Sequence, residues 1–326
     1  MAYPTDIGIV DLGIGFPHQS IEEKMSTYDF FRPLLKDRQS IEEFEFPAQY
    51  MFKDVPDVID PDEDPVEWIV AKMDAFNIEK AVTGLSENGI RAKKEYPGRF
   101  FLSGRVDPNE GMETLERMER AKAEHDIVSV SCFPSGTFPQ VAVNDKKMYP
   151  IYSKCVELGI PICINGGIVG PRMPSWPQKV EHFDEVLYDF PELVMVMMHG
   201  AEPWTALAVK LMLKWPGLHY MTSAFAPKHY PKDIINYANT RGSDKIMYCG
   251  YFPPGSRSSA SSATCPTSRS RTRCGPSSCG RTPSGSLAST ARPEIGGGGT
   301  HCSGGCHPVW LMAGGSVREG FAVATR

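Results

Sequence analysis

His199, in the stretch "VMVMMHGAEPW", is the residue of this chain best suited to moving protons. It directly follows a short apolar run, and an ordinary imidazole titrates near about pH 6.5. Other polar groups also end or follow such runs. Asp11 closes "IVD", where a carboxylate can orient a partner or take a proton. Asn165 closes "ICIN", and its amide can donate to a carbonyl or carboxylate oxygen as an oxyanion hole does. Arg105, in "SGRVDP", carries the planar fork that clamps a carboxylate with two parallel bonds. Tyr251, in "CGYFP", can donate a hydrogen bond but is no base at neutral pH. Glu202 and Trp204 begin a helix just after His199 and can line the same opening. The set suits acid–base chemistry. His199, Asp11 and Asn165 take the catalytic roles, and Arg105, Tyr251, Glu202 and Trp204 bind.

Each residue also has a structural alternative. His199 can be a satisfied core histidine, Asn165 can bond within "NGG", and Asp11 can be a fixed structural carboxylate. Arg105 can pair with Asp107 or Asp11, and Glu202 can simply answer a helix dipole. Cys155 and Cys163 sit in apolar patterns and read as buried small hydrophobes. Cys132 or Cys249 with His199 forms a conceivable nucleophile pair. "GIGFPH" lacks the third glycine of a phosphate cradle, and Pro17 removes a donor, so Gly13 and Gly15 read as points of close backbone approach.

The elements that must position these groups are legible between residues 7 and 251. Eight short strand-like runs stand at 7–12, 80–85, 99–106, 127–133, 161–165, 193–199, 218–222 and 245–251. Amphipathic helices separate them. "DPVEWIVAKMDAFN" has Asp64 as N-cap, Pro65 at the first helical position and a stripe of Val66, Ile69, Val70 and Met73. "EGMETLERMERAKAEH" repeats the pattern with Met112, Leu115 and Met118, and "YPIYSKCVELGIP" ends on Gly159. Strands apolar on both faces and joined by helices form a parallel sheet. Eight such units predict an α/β (β/α)8 TIM barrel over 1–253. The stretch 13–79 is too long for an ordinary connection and is expected to cap the mouth, with "SIEEKMSTYDFFRPLLKD" as one helix.

"IVDLGIG", "GRVDP", "GIPICINGG", "VMVMMHGAEPW" and "DKIMYCGYFP", in that order, resemble the amidohydrolase-related family. Its members are metal-dependent hydrolases and non-oxidative decarboxylases of the aminocarboxymuconate-semialdehyde decarboxylase type. The resemblance implies a zinc or manganese ion held by a His-x-His on strand 1, histidines on strands 5 and 6, and an aspartate on strand 8. The matching positions here are Gly13 and Gly15, Asn165, His199 and Tyr251. Only His199 keeps a ligand, and such ions normally need three or more imidazole, thiolate or carboxylate donors. The expectation is therefore no tightly held metal, with Asp11 and His199 as weak candidates if one binds. The resemblance implies a hydrolase or carboxy-lyase acting on a small carboxylated or cyclic substrate, with His199 as acid/base; the alternative is a catalytically inactive barrel kept as a small-molecule binding or regulatory protein. The resemblance also leaves a homodimer open.

The chain has 326 residues with a formal charge of −5, which argues against nucleic acid or an anionic membrane as partner. Its longest aliphatic run, "LVMVMM", is far below the about 20 residues of a membrane span. A soluble, cytoplasmic protein is expected. The composition breaks near residue 251: 26 Lys and Arg stand against 37 Asp and Glu before it, and eight Arg against two Glu after it. Residues 254–326 hold Ser, Arg, Gly and Cys without helix or strand periodicity and read as a disordered tail. A Ser/Arg nucleic-acid arm and a zinc site at His301, Cys302, Cys306 and His307 are weaker readings of it. Out-of-frame translation of GC-rich DNA is the preferred one, and it would leave the barrel without its last helix.

Overall fold

In the computed structural model, residues 8–42, 58–222 and 229–253 are described. Eight strands form one parallel sheet in chain order: β1 Ile9–Asp11, β2 Ile78–Gly84, β3 Phe100–Arg105, β4 Ser129–Cys132, β5 Ile162–Asn165, β6 Met195–Met198, β7 Leu218–Met221 and β8 Ile246–Met247. Every neighbouring pair is parallel. Beyond the regular strands the sheet curls back on itself. Leu12 N donates to Tyr248 O at 3.1 Å, Gly15 N donates to Phe252 O at 2.8 Å, and Ile14 bridges Phe252 in parallel. This is the predicted TIM barrel.

Alternation along the strands sorts side chains into two layers. Ile162, Ile164, Met195, Met197, Leu218 and Tyr220 belong to the main core, packed with residues of the surrounding helices. Their alternates Cys163, Val196 and Met221 join Met247 and Cys249 in a separate cluster inside the barrel. Both faces are therefore apolar, which is why the strands read as continuous hydrophobic runs.

Helix punctuation follows the local sequence. Asp64 caps α3 (Pro65–Ala75), accepting from Val66 N at 2.8 Å and Glu67 N at 3.1 Å. Val66 and Ile69 below it are fully buried. Gly159 ends α6 (Tyr149–Leu158) with φ 65°, a left-handed cap that glycine adopts without steric penalty. In α5 (Met112–His125) the stripe differs from expectation. Met112, at the first helical residue, is 67% exposed, and Thr114, Met118 and Ala121 make the buried face.

The connection after β1 also differs in part. The expected single helix is broken into α1 (Ile21–Thr27) and a 3-10 turn (Asp29–Leu34) containing Pro33, followed by α2 (Arg38–Glu42). Pro33 has no N–H to continue an α-helical ladder, so the chain tightens instead. Residues 43–57 of this insertion, and the predicted tail 254–326 with its missing last helix, lie outside the described residues. Among the described residues no helix is long and apolar enough to cross a membrane.

Candidate active site

The C-terminal ends of the strands gather most of the predicted site. His199 follows β6, and Tyr251 follows β8. Their rings meet edge to face, with centroids 5.0 Å apart and an interplanar angle of 83°. Both have left-handed backbones, φ 59° at His199 and 56° at Tyr251, and Gly200 and Ala201 continue at 90° and 53°. Left-handed backbone is strained for residues with a Cβ and persists where surrounding structure enforces it. The enforcing contacts are visible: Ala201 N donates to Gly166 O, and Ile168 N donates to Glu202 O. Gly167, at φ 99°, has no room for a Cβ, which would lie 2.7 Å from Glu202 O. The loops after β5 and β6 are thus tied together directly behind His199.

Burial sets the protonation states. It pulls the His199 imidazole down to about 4, so the ring is neutral at pH 7. Burial, and secondarily the Cys249 thiol, push the Tyr251 phenol up to about 12, so it remains a hydrogen-bond donor. Asn165 pairs in register with Met198, next to His199, and is 9% exposed. No hydrogen bond among the described residues occupies its side-chain amide.

Arg105 ends β3 in an exposed position. Its guanidinium lies 3.9 Å from the centroid of the Phe30 ring, contributed by the insertion. The alternative of an ion pair with Asp107 or Asp11 is not what the structure adopts. Asp107 caps Asn109 N at 2.9 Å, and Asp11 is engaged elsewhere. Arg105 has no ion pair among the described residues, and desolvation lowers its pKa.

Asp11 is held at the seam. The carboxylate is 1% exposed, and its Oδ1 accepts from Gly13 N at 3.0 Å and Gly250 N at 2.9 Å. It joins the ends of β1 and β8. Burial raises its pKa to about 6 despite those two N–H donors. Trp204 stands just before α8 (Thr205–Lys214) and is partly buried, packed against the sheet–helix core. Glu202 is exposed on the strained turn ahead of that helix, three residues before its first turn. Of the thiols, Cys132 belongs to the sheet–helix core with its pKa raised to about 12, away from His199's side of the sheet.

The space at Gly13, where the family resemblance implies a ligand histidine, is filled. A Cβ at Gly13 would collide with Cys249 Sγ, which comes from the end of β8. Burial holds that thiol protonated, with its pKa well above the ordinary value. Cys249 clusters with Cys163, Val196, Met221 and Met247, and the Ser129 hydroxyl, bonded to Ser103, lies against Cys163. Among the described residues no three His, Cys, Asp or Glu side chains converge. With a glycine, an amide and a phenol at the other ligand slots, the donor set does not fit a zinc or manganese ion.

One feature has no signal in the local sequence: Cys249 stands in the Gly13 space. The insertion packs over the strand ends. Phe30 covers Arg105 on the β3 side, and burial, with a smaller contribution from Tyr251, pushes the Tyr28 phenol up. Phe31 packs on Phe133 after β4, with ring centroids 5.6 Å apart, and Arg172 after β5 pairs with Asp37 at 2.8 Å. The described part of the insertion thus packs against residues at or just after the ends of β3, β4 and β5.

Similarities to known proteins agree with this architecture. A dihydroorotase of Jannaschia sp. (strain CCS1) is 27% identical over 107 residues, spanning 31% of this chain and 29% of that protein, so the match covers under a third of the relative's length. An uncharacterised TIM-barrel protein from Bordetella bronchiseptica superposes with a TM-score of 0.54 at 22% identity, over 76% of this chain and 86% of that one. The 5-carboxyvanillate decarboxylase of Novosphingobium aromaticivorans, solved with bound manganese, gives 0.52 at 14% identity over 77% and 88%. The 4-oxalomesaconate hydratase of Rhodopseudomonas palustris gives 0.51 at 15% identity over 77% and 83%. These structures share the fold. The amidohydrolase family profile matches residues 31–254, the greater part of the barrel. The chain belongs to the amidohydrolase family.

Proposed function

We propose that this chain is a hydrolase that opens a small carboxylated cyclic ester, such as a lactone, without a tightly held metal. His199 is its proton-transfer group. The observation that carries the reading is the His199–Tyr251 ring pair, held edge to face on two strained backbones beside an amide with no partner among the described residues. A neutral imidazole accepts a proton from water as the water oxygen bonds to the ester carbonyl carbon. The carbonyl electron pair moves to oxygen, where the Asn165 N–H and the Tyr251 O–H can donate to it. When the oxyanion collapses, the ring C–O bond breaks and the leaving oxygen takes the proton from His199. An imidazolium with a pKa near 4 is a strong donor for that step. Arg105 holds the substrate carboxylate.

Decarboxylation is supported less well. It requires a proton delivered to carbon, and neither a phenol near 12 nor an imidazole that is unprotonated at pH 7 supplies one readily.

The test is turnover of carboxylated lactones by protein dialysed against a chelator, with His199→Ala as comparison. Turnover should survive dialysis and fall by about 10²- to 10⁴-fold in the variant. Activity that returns only with added manganese or zinc would overturn the metal-free mechanism. Carbon dioxide release from aromatic acids would overturn hydrolysis, and binding of the lactones without turnover would favour a barrel kept for ligand binding.

A further inference from the structure

The turn that carries His199 is gripped by the loop after β5. Three consecutive residues, His199, Gly200 and Ala201, hold left-handed backbones at φ 59°, 90° and 53°. Such a run persists only where its neighbours fix it. The neighbour is Gly167, whose two flanking peptide groups each make one bond to the turn. Gly166 O accepts from Ala201 N at 3.2 Å, and Ile168 N donates to Glu202 O at 2.7 Å. The opposite edges of the same two peptides are bound by one residue, Gln178. Gly167 N donates to Gln178 O at 2.9 Å, and Gly167 O accepts from Gln178 Nε2 at 3.0 Å. Gln178 is 1% exposed and ends the 3-10 turn Trp176–Gln178.

A peptide group is planar, and in its trans form the C=O and N–H point in opposite directions. Anchoring Gly167 N on the Gln178 carbonyl therefore aims Gly166 O at Ala201. Anchoring Gly167 O on the Gln178 amide aims Ile168 N at Glu202. Gly167 has no side chain of its own to hold it, and glycine's freedom would otherwise let both planes rotate. The first plane is fixed by backbone alone; the second depends on the glutamine side chain. Resting on the reading of His199 as the proton-transfer group, we propose that Gln178 is a positioning residue for His199. Its side-chain amide, acting through the peptide between Gly167 and Ile168, holds the strained turn that sets the imidazole edge to face against Tyr251.

Nuclear magnetic resonance of the full chain with labelled histidine tests this without a substrate. The His199 ring signal is assigned, among the eight histidines, by its loss in His199→Gln. Tyr251→Leu gives the displacement that the Tyr251 ring current imposes on that signal. Gln178→Met keeps the backbone bond to Gly167 and a side chain of similar length but removes the Nε2 donor. The His199 signal should then lose most of its Tyr251-dependent displacement, and the Ile168 amide should exchange faster, while the urea midpoint moves little. Gln178→Glu is the second variant, because a neutral carboxyl still donates to Gly167 O and an ionised one cannot. There the displacement should persist at acid pH and fade as pH rises. A displacement that survives in Gln178→Met overturns the proposal; should that variant not fold, so does one that survives in Gln178→Glu at alkaline pH. Failure of both variants to fold overturns it too, because Gln178 would then support the barrel and not one turn. With a lactone substrate, Gln178→Met should lower kcat by up to roughly 10²-fold and leave KM nearly unchanged. A lactone screen that fails removes the hydrolase reading, and the resonance experiment still decides the role of Gln178.

Discussion

Asp11 offers the sharpest quantitative check on how the barrel closes. Its carboxylate is buried against the Gly250 backbone, and its pKa rises from 3.8 to about 6. A folded-state pKa above the unfolded value means that protonation stabilises the fold. The benefit is complete below about pH 3.8 and lost as pH rises through about 6. Two pKa units correspond to about 3 kcal/mol, the amount by which ionised Asp11 burdens the native state at pH 7.5. Asp11→Asn keeps an oxygen for Gly13 N and Gly250 N but cannot ionise. Urea unfolding of both proteins, followed by tryptophan fluorescence from pH 4 to 7.5, isolates the effect as a difference. His199 and His219, whose pKa values burial lowers to about 4 and about 3, titrate in both proteins and cancel. The difference should move toward the asparagine variant by a little over about 2 kcal/mol between pH 4 and 7.5, half of the whole effect being reached near about pH 5 and the rest levelling off above about 6. A difference that does not change with pH, or one that moves toward the parent, would refute the account of Asp11 as an uncompensated buried carboxylate.

Other consequences are direct. For a substrate of the proposed hydrolase, kcat/KM should be level from about pH 5.5 upward and fall as pH drops through about 4, where His199 takes its proton; a midpoint near 6.5 would contradict the burial argument. Gly13→Ala should destabilise by about 1–3 kcal/mol through overlap with Cys249 Sγ, and Cys249→Ala in the same chain should recover most of it. A double-mutant cycle with no coupling would show that the two do not share that space. Ile69→Ala, at a fully buried position of α3, should cost about 2–5 kcal/mol in urea unfolding. Asp64→Ala should cost about 1 kcal/mol through the lost N-cap.

What the sequence determined by itself was local. Eight apolar runs at the spacing of βα units specified the parallel sheet, because a strand covered on both faces has to be apolar throughout. The Asp64–Pro65 start of α3 and the Gly159 end of α6 were equally legible, since a cap depends on atoms within a few residues. Pro33 could have signalled the break in the insertion's first helix, although the apolar spacing around it suggested continuity. His199, Tyr251, Asn165 and Arg105 were recognisable as strand-end polar groups, and parallel strands in a barrel bring such ends to one face.

The tertiary structure alone decided what those groups touch. Asp11 accepts from Gly250 N, 239 residues away, and Trp204 packs on the sheet–helix core. The Cys249 thiol fills the Gly13 space because the last strand closes against the first, and neither residue's neighbours encode that encounter. The direction of the His199 and Tyr251 shifts likewise follows from burial by many segments at once. Periodicity and capping are properties of a short stretch of chain. Desolvation, steric filling and backbone strain belong to the closed barrel.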